Sequence, residues 1–75
     1  MNGQYCIENS FQLFGPNGYT GFFIVAGHIF GPNSMHTGYW INEVNNRIVR
    51  PDGSDSGFWI SDGRIYGTGT APWLS

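Results

Sequence analysis

Gly57-Phe58-Trp59-Ile60-Ser61-Asp62-Gly63-Arg64-Ile65-Tyr66-Gly67 spells one β-hairpin, and the rest of the chain can be read against it. Phe58-Trp59-Ile60 and Ile65-Tyr66 are runs of aromatic and β-branched residues, which suit the pleated surface of a strand. Between them stands Asp62-Gly63, a pair that tolerates positive φ at both positions and so favours the type I′ turn of a two-residue loop. Three looser copies lie upstream. The pattern is aromatic, bulky, Ile, short turn, Ile or Leu, aromatic, Gly, Pro. It runs from Tyr5-Cys6-Ile7 to Leu13-Phe14-Gly15-Pro16, from Phe22-Phe23-Ile24 to Ile29-Phe30-Gly31-Pro32, and from Tyr39-Trp40-Ile41 to Ile48-Val49-Arg50-Pro51. The copies begin at residues 5, 22, 39 and 58, so they are spaced by 17, 17 and 19 positions, which marks a repeat architecture.

Loop lengths support the same reading. Ala26-Gly27 and Asp62-Gly63 suit two-residue loops, Asn9-Ser10-Phe11 a three-residue loop and Glu43-Val44-Asn45-Asn46 a four-residue loop. All four preserve one register, pairing Ile7 with Leu13, Ile24 with Ile29, Ile41 with Ile48 and Ile60 with Ile65. Side chains alternate along a strand, so these aliphatics share a predicted core face with Tyr5, Phe22, Tyr39 and Phe58. The opposite face carries Cys6 with Phe14, Phe23 with Phe30, Trp40 with Val49, and Trp59 with Tyr66. Nearer the turns it carries Glu8 with Gln12, Val25 with His28, Asn42 with Arg47, and Ser61 with Arg64.

The segments between hairpins, such as Gly15-Pro16-Asn17-Gly18 and Arg50-Pro51-Asp52-Gly53, have the chemistry of turns. No run shows a 3.6-residue period, and 12 glycines in 75 residues oppose helix. Ala71-Pro72-Trp73-Leu74-Ser75 breaks the pattern, and Trp73 and Leu74 are expected to fold back as a plug over an open end of the core. The predicted fold is all-β: one domain over 1–75, with repeats at about 3–20, 21–37, 38–56 and 57–75. Its four tandem hairpins give about eight short antiparallel strands in a meander, closed as a small barrel or set in a propeller- or prism-like array, with no helix. Should the sheet not close on itself, its free edges would pair with a second chain.

In pattern, these units resemble the tandem hairpin repeats with an Ile-Tyr-Gly-Pro ending found in small bacterial proteins and protein tails. The resemblance covers nearly the whole chain and brings no established activity with it. Arg50 stands where the pattern has glycine, Val49 where it has an aromatic and Thr68 where it has proline, so repeats three and four are where a site could have diverged.

Composition narrows the function classes. A chain of 75 residues hides only about 60% of its unfolded surface and needs support from disulfides, metal or association. One cysteine excludes an internal disulfide framework, and no Cys or His spacing suits zinc, which leaves self-association as the expected aid. Aromatics make up 17% of the chain and charged residues only 11%, so some rings are expected to face a partner. Net charge is −2, with three arginines, no lysine and five acids, which argues against a phosphate backbone and hence against nucleic acid. The longest apolar run, Phe22 to Ala26, is too short for a membrane helix, and Met1-Asn2-Gly3-Gln4-Tyr5 does not open a signal peptide. Together with a lone thiol, these features set the expectation of a cytoplasmic protein.

No residue cluster announces catalysis. Cys6 shares the strand position of Phe23, Trp40 and Trp59 and reads first as a small hydrophobe, with a thiol enzyme using Cys6, His28 or His36 as the remote alternative. His28 occupies the repeat position of Gln12, Arg47 and Arg64. The simple reading is a solvated hairpin end, and the sharper one is a row of donors for an anion or a carboxylate-bearing partner. Asp52-Gly53-Ser54-Asp55-Ser56 lacks the ligand spacing of a calcium loop, and neither metal nor cofactor is expected. Trp40, Trp59 and Tyr66, flanked by Arg47, Arg64 and His28, form the candidate binding set. The expected function is a non-enzymatic module that engages a protein partner through this aromatic face and the Gly/Pro/Asn loops, as a small inhibitor or assembly module and as a homo-oligomer. Carbohydrate binding is the alternative, because flat rings flanked by donors suit both.

Overall fold

The computed structural model describes residues 2–8 and 11–74, so Asn9 and Ser10 of the first expected loop lie outside the described residues. Eight strands follow the chain: β1 (Asn2–Glu8), β2 (Gln12–Gly15), β3 (Gly18–Val25), β4 (His28–Phe30), β5 (His36–Asn42), β6 (Arg47–Val49), β7 (Asp55–Ser61) and β8 (Arg64–Tyr66). Each pairs antiparallel with the next, and β8 returns to β1, closing the barrel. Among the described residues no α-helix forms, and the only helical element is a 3₁₀ turn at Pro72–Leu74. The meander barrel is therefore the architecture the repeats adopt, and the propeller-like array is not.

Register inside the hairpins follows the sequence pattern. Ile7 faces Leu13, Ile24 faces Ile29, Ile41 faces Ile48 and Ile60 faces Ile65. In the turns, Ala26 and Gly27 have φ of 51° and 82°, and Asp62 and Gly63 have 53° and 74°, the left-handed pair that a type I′ loop requires.

Between hairpins the structure departs from the expectation of simple loops. The first strand of each later hairpin starts early, at Gly18, His36 and Asp55, and pairs with the preceding hairpin through a bulge. A hydroxyl bridges each bulge. Thr20 Oγ1 donates to the Leu13 carbonyl at 2.7 Å and accepts from the Phe22 amide at 3.1 Å. Thr37 does the same between Ile29 and Tyr39, at 2.7 and 3.2 Å, and Ser56 between Ile48 and Phe58. Each hydroxyl replaces a ladder bond that the bulge removes, and the bulge bends the strand as a closing barrel demands. The next residue is glycine for two reasons. Gly21 and Gly38 have φ near +90°, and a Cβ would meet Pro32 at 3.1 Å or Pro51 at 2.7 Å. Where Thr68 stands in place of that proline, the matching Gly57 faces open space.

The interior is built in tiers of four, the even and odd strands alternating as in other eight-stranded barrels. Leu13, Ile29, Ile48 and Ile65, from the short strands, are at most 2% exposed and form the middle tier. Tyr5, Phe22, Tyr39 and Phe58, from the long strands, lie on one side of it, and Ile7, Ile24, Ile41 and Ile60 on the other. The expected plug is present. Trp73 is buried with its ring centroid 5.4 Å from Tyr39 and 5.5 Å from Phe58, and Ala71 is fully buried beneath it. Val49 is the exception on the outer face, where it is buried opposite Trp40.

The tiers predict unequal costs for the same truncation. Ile48→Ala should cost about 2–5 kcal/mol, because the middle tier cannot relax into the void. Ile60→Ala, in the half-buried tier, should cost measurably less. Urea denaturation of the two variants checks the order, and equal midpoints would contradict the tier assignment.

Candidate functional site

Two surfaces can act on something outside the chain: the outer wall, and the end of the barrel opposite the Trp73 plug. The wall carries the residues singled out from sequence. Trp59 on β7 is 39% exposed, and its ring stacks on Tyr66 of β8 at 6.1 Å and 22°. The Arg47 guanidinium, from β6, sits 5.5 Å from the Trp59 ring centroid while its Nε donates to Asp55 Oδ2 at 2.9 Å. Cross-strand register explains the grouping, because Arg47 faces Trp59 and Val49 faces Asp55. The Asp55 carboxyl is held below its ordinary pKa, first by the Gly57 amide and then by Arg47. Arg64 lies two register pairs nearer the turn on the same hairpin and donates to the Gly3 carbonyl at 2.9 Å.

Trp40 and His28 belong to a different quarter of the wall, where they face each other across β4 and β5. His28 lies 5.0 Å from His36, which in turn meets the Phe30 ring edge-on at 4.8 Å. The four donors Gln12, His28, Arg47 and Arg64 are therefore spread one to a hairpin around the barrel, and of the six candidate residues Trp59, Tyr66 and Arg47 are the three brought into one cluster.

Cys6 lies on the wall opposite Phe14 and Arg64, and its thiol donates to Glu8 Oε2 at 3.0 Å. That bond, then desolvation and the charge of Glu8, raise the thiol pKa above its ordinary value, against a smaller opposing effect from Arg64. A raised pKa leaves less thiolate, the nucleophilic form. Asp52 is tied to Ser54 through both the backbone amide at 2.9 Å and the hydroxyl at 2.6 Å.

The open end was not read from sequence. Ile7, Ile24, Ile41 and Ile60 line a cavity of about 440 Å³ together with Phe11, Ala26, Gly27, Glu43 and Gly63. All four isoleucines were assigned to the core, and their alternation gives no sign that this tier lacks a cover. The rim is built by one repeated bond. The amides of Ile24, Ile41, Ile60 and Ile7 donate to the carbonyls of Phe11, Gly27, Asn46 and Gly63 at 2.7 to 2.9 Å, each the last residue of the preceding turn. All four acceptors have positive φ. Three are glycine or asparagine, the residues suited to that conformation, whereas Phe11 holds φ 72° and is 64% exposed. A bulky side chain in left-handed backbone costs roughly 1–2 kcal/mol. Strain of this kind concentrates where a side chain is needed for something other than folding. The sequence signal was the aromatic at the turn position where the other copies have Gly or Asn.

Two measurements test these assignments. Phe11→Asn should raise the urea midpoint by relieving the left-handed strain, an expected gain of about 1 kcal/mol, and a loss of stability would refute the strain. Glu8→Gln should speed alkylation of Cys6 at pH 8, since removing the carboxylate lowers the thiol pKa, and an unchanged rate would show that Glu8 does not control it.

Compared with models of protein families, with curated proteins and with solved structures, the chain matches none.

Proposed function

We propose that the protein is a non-enzymatic binding module that engages a protein partner through the Trp59, Tyr66 and Arg47 cluster. The observation that carries this reading is the exposed Trp59 ring, already fixed between a stacked tyrosine and a guanidinium. Trp, Tyr and Arg dominate binding hot spots because a rigid ring buries much area at small entropic cost. Here the ordering has been met within the free protein, which favours affinity through preorganisation. Arg64 on the same hairpin, and Trp40 with His28 on the next quarter, extend the polar and aromatic rim. Because the barrel closes within one chain, self-association would run through this wall and not through strand edges.

A carbohydrate is the second reading. The Arg47–Asp55 pair beside a flat indole offers a donor and an acceptor to sugar hydroxyls, and this geometry favours it.

Trp59→Ala separates the cases. On the preferred reading it should weaken capture of the protein partner by at least about ten-fold, as loss of a hot-spot ring does, with the melting temperature nearly unchanged. Unaltered capture would refute the reading. Glycan binding that is lost on the same change would favour the carbohydrate instead.

A further inference from the structure

We propose that the open end of the barrel is a ligand site for a hydrophobic cation, a small alkyl or aryl ammonium whose apolar body enters the isoleucine well. This inference is independent of the wall, which lies on the other side of the same strands.

The well has the size and character of a small-molecule site. Its volume of about 440 Å³ falls within the range of ligand pockets, and its lining is mostly apolar, with Glu43 the one ionisable side chain among the described residues. Leu13, Ile29, Ile48 and Ile65 of the middle tier are at most 2% exposed, which leaves no passage through the barrel, so the well takes the end of one group. Phe11 stands over it on strained backbone.

Charge selects the class of occupant. The turn end carries Glu43 and Asp62 in the hairpin turns, whereas the Glu8 carboxylate is turned along the wall to Cys6. Both nearby arginines direct their guanidinium groups down the wall, Arg47 to Asp55 and Arg64 to the Gly3 carbonyl. Among the described residues the one ion pair is Arg47–Asp55, so Glu43 has no cation of its own there. Glu43 is also free of the turn it sits in, which is held by Asn42 and Asn45: Asn42 Oδ1 accepts from the Val44 amide and Asn45 Oδ1 from the Arg47 amide, both at 3.0 Å. An apolar well with a carboxylate at its lip repels a fatty acid or phosphate and gains from an ammonium. The same acidic rim opposes a second copy docked mouth to mouth.

The test uses octylammonium, 1-octanol and octanoate, followed by amide NMR shifts of the full chain. Octylammonium should shift Ile7, Ile24, Ile41 and Ile60 and bind about five-fold more tightly than octanol, the factor that one charge contact near water supplies. Octanoate should bind more weakly than octanol. Glu43→Gln should bring octylammonium down to the affinity of octanol and leave octanol unchanged. Phe11→Asn should weaken both, whereas Trp59→Ala should affect neither. Octanoate matching octylammonium, a preference that survives Glu43→Gln, shifts confined to the wall, or no saturable binding of any probe would each overturn the proposal.

Discussion

The return of β8 to β1 is the constraint on which the other features depend. Eight strands this short would present two unsatisfied edges as an open sheet, and closing the ring pairs every ladder within one chain. A bond at each step holds the closure. The isoleucine of every long strand donates its amide to the last residue of the turn before it, and the fourth turn hands the pattern back to Ile7 through Gly63 at 2.7 Å. That bond requires the accepting residue to be left-handed, which explains why glycine and asparagine recur there and why Phe11 stands out.

Curvature comes from the Ser/Thr-Gly bulges. Each adds length to one strand, and a single hydroxyl both donates to and accepts from backbone groups across it. The seam differs from the other three junctions. At the position of Thr20, Thr37 and Ser56, the first repeat has Gly3, whose carbonyl accepts from Arg64 and whose Cα lies under the Tyr66 ring. The junction without a hydroxyl is thus covered by two side chains of the last strand. At the plug, the Trp73 indole Nε1 is buried with no acceptor among the described residues, so shape and apolar contact hold this ring.

The two outward-facing surfaces have opposite physical character. The wall cluster is satisfied: Arg47 has its carboxylate, Trp59 its stacking partner, and the arrangement is fixed before anything binds. The mouth is unsatisfied: among the described residues its tier of isoleucines is only half-buried and Glu43 has no paired cation. The plug end and the mouth end also differ although the repeats are alike, because only the loop end receives the extra C-terminal segment. Among the described residues, a fourfold pattern with one cap leaves the other end of its core open.

Much of the fold is written locally. The Asp62-Gly63 and Ala26-Gly27 turns, the pairing of Ile24 with Ile29 and the inward set of isoleucines follow from turn chemistry and a two-residue period, both properties of adjacent residues. Thr20, Thr37 and Ser56 could have been read as bulge residues from the recurring Ser/Thr-Gly-aromatic triplet, but they lay in segments whose Pro and Asn residues spelled turns. What no local pattern carries is closure: whether β8 reaches β1 depends on the summed bend and tilt of all eight strands. Closure and the plug together decide that Ile48 is dry while Ile41 lines an open mouth, although both carry the same side chain on the same face. Sequence by itself determined which residues point inward; tertiary structure decided which of them remain open to a ligand.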